Sequence, residues 1–244
     1  MVASFPLLAI AATLSSITKA ATMSDSSEGS PTQAGSMSDS TADSPTRVRE
    51  SGMPPAEYWE TLVDAEAMLD SLGFTPGSHD KVVELGCGYG TITLPVAKRC
   101  QSIRTFDIEP QMVVQTEKRL RVAGLSNVDV QVRDVVADGY GLEDGSADAV
   151  LLMNILHCEE PVQMLRQAAS LLADRGTVYA SHWRYDESTP RGPPMSIRPR
   201  PEQLKQWAVE TGLLEVAAGP VDCPPWHYGW TFRRIAQRVV RLRR

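Results

Sequence analysis

The sequence predicts an α/β fold, a doubly wound, seven-stranded, mostly parallel sheet with an antiparallel edge strand and helices on both faces. Three observations carry that expectation. From residue 81 to residue 182, short runs rich in Val, Ile and Leu alternate with longer amphipathic stretches, the pattern of strand–helix–strand units that bury a parallel sheet between two helical layers. The first run, Val82-Val83-Glu84-Leu85, passes into a helix through three alternating glycines, Gly86, Gly88 and Gly90. The chain then closes on two apolar runs joined by a short connection, which permits antiparallel pairing but is too short for a parallel crossover.

In chain order, Pro54 and Pro55 open a helix whose apolar positions Tyr58, Leu62, Ala65, Leu69 and Leu72 follow helical spacing, with Gly73 as its C-terminal cap. Strands follow near 81–85, 103–107, 128–133, 148–153 and 177–182, separated by helices near 91–100, 110–123 and 161–173. A helix near 201–211 stops at Gly212, and strands near 213–218 and 227–233 finish the sheet.

A chain of 244 residues that is 42% hydrophobic and 22% charged can bury one substantial core, which places a single domain at 53–234. Residues 1–50 differ in kind. Thr22 to Glu50 is dominated by Ser, Thr, Asp, Gly and Pro, and reads as a disordered tail with a polar near-repeat, Met23–Thr32 against Met37–Thr46. Val2 to Ile17 is apolar but broken by Pro6, and is shorter than the roughly 20 residues that span a bilayer. Without a basic leader, residues 1–20 are at most a weak targeting segment; no stable membrane insertion is expected, and a cytoplasmic location is. Residues 235–244 form a basic tail, and the last twelve residues carry six arginines, but the net charge of −6 offers no general attraction for nucleic acid. The four cysteines, Cys87, Cys100, Cys158 and Cys223, show no paired or Cys/His spacing, so neither a metal site nor a disulfide framework is expected.

The glycine loop carries the chemistry. Glycines there let the backbone turn tightly and lie against a ligand, while the following helix offers its free N–H groups. A dinucleotide fingerprint needs a glycine where Thr91 stands; here the third glycine comes one place early, at Gly90. Glu84, two residues before the first glycine, would repel a pyrophosphate and attract a cationic amino-acid group. Asp107 ends the second strand about twenty residues further on, where a carboxylate can accept both hydroxyls of a ribose.

The pattern Glu84-x-Gly86-x-Gly88-x-Gly90 resembles the S-adenosylmethionine loop of class I methyltransferases, whose Rossmann-like sheet ends in an antiparallel strand. The resemblance runs from Met53 to Arg234 and extends to Tyr58-Trp59, Asn154-Ile-Leu-His157 and the segment His182 to Pro201, which look like a bacterial-type subgroup of these enzymes. It implies S-adenosyl-L-methionine as cofactor, with Glu84, Gly86, Cys87, Gly88, Tyr89, Gly90 and Thr91 forming the loop and Asp107 with Ile108 at the ribose. Asp134 and Val135 would take the adenine, and Asn154 the methionine end.

Methyl transfer from a sulfonium is an in-line displacement, so positioning supplies most of the catalysis. An oxygen or amine acceptor must still lose a proton, for which His157, His182 and Tyr185 are the candidate catalytic groups, with His227 also within the aromatic wall. The stretch 182–201 contains five prolines, and Arg191, Arg198 and Arg200 among them either clamp an anionic acceptor group or pair with Asp186 and Glu187. Tyr58, Trp59, Trp183, Arg191, Arg198, Trp226 and His227 are the candidate acceptor-binding residues. A small-molecule acceptor is expected rather than nucleic acid, because Asn154-Ile-Leu-His157 lacks the Pro-Pro-aromatic sequence of many base N-methyltransferases. The rival readings are a cofactor-binding regulatory protein without turnover and an NAD-dependent oxidoreductase.

Overall fold

The computed structural model describes residues 52–236; the tail and targeting segment expected over 1–50 and the basic tail beyond Ala236 lie outside the described residues. Seven strands, β1 (Lys81–Leu85), β2 (Ser102–Asp107), β3 (Val128–Val132), β4 (Ala147–Met153), β5 (Leu172–Trp183), β6 (Leu214–Cys223) and β7 (His227–Arg234), form one sheet. Its order is β3-β2-β1-β4-β5-β7-β6. Strands β1 to β5 pair in parallel, and β7 runs antiparallel to both β5 and β6. The antiparallel element expected at this margin is therefore β7, one place in, with β6 outside it. The strand order reverses between β1 and β4, and crevices for ligands open at the carboxyl ends of strands at such a point.

Seven helices accompany the strands among the described residues: α1 (Ala56–Trp59), α2 (Ala65–Ser71), α3 (Thr93–Ala97), α4 (Pro110–Val122), α5 (Val135–Asp138), α6 (Pro161–Leu171) and α7 (Pro201–Glu210). The period-two alternation of β4 divides the core. Val150 and Leu152 pack with Met164, Leu165 and Ala168 of α6 and Leu204 of α7, whereas Ala149, Leu151 and Met153 join Met68 and Leu69 of α2 and Val96 of α3. A strand buried on both faces has no polar face to show, which is why β4 from Ala149 to Met153 reads as an unbroken apolar run.

Three expectations need correction, and one element was missed. The opening helix is two helices, because the Asp64 side chain accepts a hydrogen bond from the Ala67 amide at 3.0 Å and starts α2 afresh, while Leu62 and Val63 are buried in the connection. The helix expected over 91–100 is only α3, since Thr91 and Ile92 still belong to the loop. The short helix α5 had no sequence signal long enough to find it. Helix α6 passes straight into β5 at Leu172, not after residue 173; the pairing is irregular until Thr177 meets Ala149, with Arg175 at φ 64° in the bulge.

Replacing the cap by Asp64→Ala is expected to cost about 1 kcal/mol, read as a lower denaturant midpoint at unchanged slope; an unchanged midpoint would mean that the cap is not what starts α2.

Candidate active site

At the reversal between β1 and β4 lies a cavity of about 350 Å³, lined by the glycine loop, by Asp107, Ile108, Asp134, Val135 and Asn154, and on its other side by Trp59, Met153, His157, Trp183 and Arg191. The loop is fixed from several directions. Gly86 has φ 82° and a Cβ there would stand 3.2 Å from Ile155 Cγ2; Gly90 has φ 77° and its Cβ would come within 2.9 Å of Leu94 Cδ1 and 3.1 Å of Thr116 Oγ1. Thr116 Oγ1 donates to the Gly88 carbonyl at 2.9 Å, which ties the loop to α4.

Asp107 Oδ2 accepts from the Gly88 amide at 2.9 Å and Oδ1 from the Glu109 amide at 3.0 Å. Burial pushes this carboxyl above the ordinary range, and the two backbone donors pull it back. Each oxygen keeps further acceptor capacity beside the cavity. Asp134 caps α5, its Oδ1 accepting from the Ala137 amide at 3.0 Å, and Val135 is buried next to it.

Asn154 ends β4 at φ 60°, an unusual backbone state for a side-chain-bearing residue, held by its amide's hydrogen bond to the Ser181 carbonyl at 2.9 Å. Its Oδ1 is buried and has no hydrogen-bond partner. An orphaned buried acceptor costs about 1–3 kcal/mol, a penalty that a ligand donor removes.

Residues 82–176 match the family model described as "Methyltransferase domain". A ubiquinone biosynthesis O-methyltransferase of Xanthomonas campestris pv. campestris is 34% identical over 109 residues, covering 43% of this chain and 43% of that protein. The chain thus aligns with under half the length of the curated relatives it matches. Among solved structures, an S-adenosylmethionine-dependent methyltransferase from Aquifex aeolicus superposes with a TM-score of 0.63 at 19% identity, over 74% of this chain and 94% of that one. The 4+2 cyclase SpnF has a TM-score of 0.57 at 18% identity, over 70% and 79%. Residues 82–176 thus match a methyltransferase domain, and the sheet around them has the fold of S-adenosylmethionine-dependent methyltransferases.

The expected loop residues Cys87, Gly88, Tyr89 and Thr91 line the cavity, together with Gly86. Glu84 does not. Its Oε2 accepts from Thr93 Oγ1 at 2.6 Å and Thr105 Oγ1 at 2.7 Å, fully buried behind the loop, so it does not act as the expected lure for a cationic group. Instead it locks β1 to β2 and α3. Tyr89 donates its hydroxyl to the Pro54 carbonyl at 2.8 Å, and Thr91 donates to Glu60 Oε1 at 2.8 Å, an oxygen that Arg119 also meets at 2.6 Å.

The acceptor side is more sharply corrected. Trp59 and Trp183 line the cavity with their rings edge to face at 6.1 Å, and Arg191 lines it while donating to the Gly52 carbonyl. His157 lines it too, but His182 is fully buried outside it, its Nε2 3.2 Å from His157 Nδ1. Tyr185 is turned away beneath Arg200, 3.7 Å from ring centroid to guanidinium carbon, and Tyr58 is an exposed side chain outside the cavity. Arg198 is no anion clamp, because its guanidinium donates to the carbonyls of Pro193, Arg184 and Asp186 and to Thr189 Oγ1, knitting the proline-rich loop together. Trp226 and His227 lie outside the lining; His227 packs on Trp183 at 4.3 Å, and burial drives its imidazole down to about 3.

Several lining residues escaped sequence reasoning. Gly52, Met53 and Pro54 cover the loop, Ile155 follows Asn154, and Arg133 stands beside Asp134 with its guanidinium on the Gly139 and Asp138 carbonyls. None was picked as a site residue, although Ile155 fell within Asn154–His157, and Gly192, Pro193 and Pro194, which also line the cavity, fell within 182–201, both segments already singled out. No group of three or more metal-ligating side chains occurs among the described residues, nor is any described helix long and apolar enough to cross a membrane.

Burial raises the Glu84 carboxyl from 4.5 to about 7, against the pull of Thr93 and Thr105. Between those values the folded chain binds the proton that the unfolded chain releases, so stability falls as pH rises through the window and stays lowered above it. Glu84→Gln is expected to gain stability relative to the parent as pH rises from 4.5 to 7, by up to about 3 kcal/mol, and to level off beyond. Denaturant unfolding of both proteins at several pH values measures this, and a difference independent of pH would contradict the assignment.

Proposed function

We propose that this chain transfers a methyl group from S-adenosylmethionine to a small, largely apolar acceptor bearing a hydroxyl. The observation that carries the reading is the pairing, across one cavity, of Asp107 braced by two backbone amides with the buried, unpartnered Asn154 Oδ1. The residues fit the cofactor. The Asp107 carboxylate suits a ribose diol, Asp134 and Val135 suit an adenine edge and face, and Asn154 Oδ1 suits the ammonium of the methionine portion. When bound, the cofactor supplies an activated methyl group on a sulfonium.

The chain's own residues do the rest. Trp59, Met153 and Trp183 give the acceptor an apolar, water-poor wall, and Arg191 offers a guanidinium at its rim. His157 is the one imidazole on the cavity wall among the described residues and is positioned as base for the acceptor's proton. The partial match to ubiquinone biosynthesis O-methyltransferases supports a small-molecule oxygen acceptor, and the net charge of −6 gives nucleic acid no field to follow.

Calorimetric titration of S-adenosylmethionine and S-adenosylhomocysteine into the full chain tests the cofactor. Asp107→Ala is expected to weaken binding by about 10- to 100-fold, as lost hydrogen bonds to a charged group would, with NADH failing to compete. Equal affinity in the variant, or no binding by the folded parent, would overturn the reading.

A further inference from the structure

Helix α5 is four residues long, Val135–Asp138, and so short a helix does not hold itself, because the first turn fixes several residues for a single hydrogen bond. Both of its ends are met by the two residues that precede it. At the N-terminal end Asp134 Oδ1 accepts from the Ala137 amide at 3.0 Å. At the C-terminal end the Arg133 guanidinium lies across two consecutive carbonyls, Nη2 donating to Asp138 at 3.0 Å and Nε to Gly139 at 2.5 Å. The last carbonyls of a helix have no partner within it, and the arginine fork supplies two donors side by side.

The chain is shaped to receive that guanidinium. Gly141 has φ 65°, and a Cβ there would stand 2.8 Å from Arg133 Nη2 and 2.9 Å from its Cζ. Arg133 is also anchored through its backbone, since its amide donates to the Asp107 carbonyl at 2.8 Å. On the core side, Val135 and Tyr140 are buried, with Tyr140 edge to face on Phe106 at 5.8 Å. On the other side, Arg133, Asp134, Val135 and Val136 all line the cavity. One residue therefore ties the end of β2, which carries Asp107, to the helix at whose start Asp134 and Val135 stand.

We infer that Arg133 is a positioning residue for the adenine of the cofactor, holding α5 in a fixed place relative to Asp107 so that the pocket accepts a 6-amino purine and rejects a 6-oxo one. The inference rests on the cofactor reading above, in which Asp107 meets the ribose and Asp134 with Val135 the base. An amino group donates to a carboxylate, which has about four acceptor sites, whereas an oxo group brings an oxygen against it. Discrimination of that kind needs donor and acceptor held in line at hydrogen-bond distance, because the bond weakens steeply as its geometry is lost. A loose α5 would still cover the base but would not read it.

Calorimetric titration of S-adenosylhomocysteine and S-inosylhomocysteine into the full chain tests this, with the melting temperature of each protein recorded beside it. The parent is expected to bind the adenosyl compound at least about 10-fold more tightly than the inosyl compound, the discrimination that one base-edge hydrogen bond gives. Arg133→Met is expected to lose about 10-fold for the adenosyl compound and to change little for the inosyl compound, so that the ratio falls toward one. Arg133→Lys keeps the charge but cannot span two carbonyls, and is expected to follow Arg133→Met; should the methionine variant not fold, the lysine variant decides alone. A role confined to stability would lower the melting temperature and leave the ratio as in the parent, and that result in either folded variant overturns the inference. So does a parent that binds both compounds alike. Binding of neither compound by the folded parent would instead overturn the cofactor reading, and the inference with it.

Discussion

The hydrogen bond from the Gly88 amide to Asp107, 2.9 Å long, joins the loop after β1 to the end of β2 and fixes two sides of the cavity wall to each other. The carboxylate is nearly buried, and a buried charge persists only where donors meet it. Here the donors are backbone amides that only a left-handed glycine turn and the start of α4 can aim at it. Behind the loop, Glu84 repeats the arrangement with Thr93 and Thr105, one carboxyl binding β1, β2 and α3. The loop is therefore held rigid on its inner side by side chains and left with its outer backbone facing the cavity.

The opposite wall is built by other means. Gly52 to Trp59 crosses over the loop, pinned by Tyr89 at Pro54 and by Arg191 at Gly52. The proline-rich stretch after β5 is made stiff by Arg198, which spends its guanidinium on that loop's carbonyls. Two tryptophans brought together from these segments give the acceptor side its apolar character, while the histidine pair at the β4 and β5 ends supplies its only imidazole contact among the described residues.

What the sequence made legible was whatever depends on local pattern. The parallel strands were readable because burial on both faces leaves continuous apolar runs, and the loop because three glycines and Asp107 recur at fixed spacing. The corrected features depend on tertiary partners. Nothing local distinguishes an Asp64 that caps a new helix from one inside a longer helix, and helical spacing ran across the break. Arginine type and position suggested that Arg198 was an anion clamp, but the carbonyls that consume it come from a folded loop. Glu84 was recognised as part of the motif, yet its direction was set by threonines on β2 and α3. The burial of His182 and Tyr185's turn beneath Arg200 likewise follow from packing that spacing does not encode.

The most direct test of the whole account is a crystal structure of the chain with S-adenosylhomocysteine. The account predicts ribose hydroxyls on Asp107, adenine between Asp134 and Val135, and the ammonium on Asn154 Oδ1, with the sulfur directed toward the wall formed by Trp59, His157 and Trp183. A ligand bound away from Asp107, or with its sulfur facing away from that wall, would contradict it.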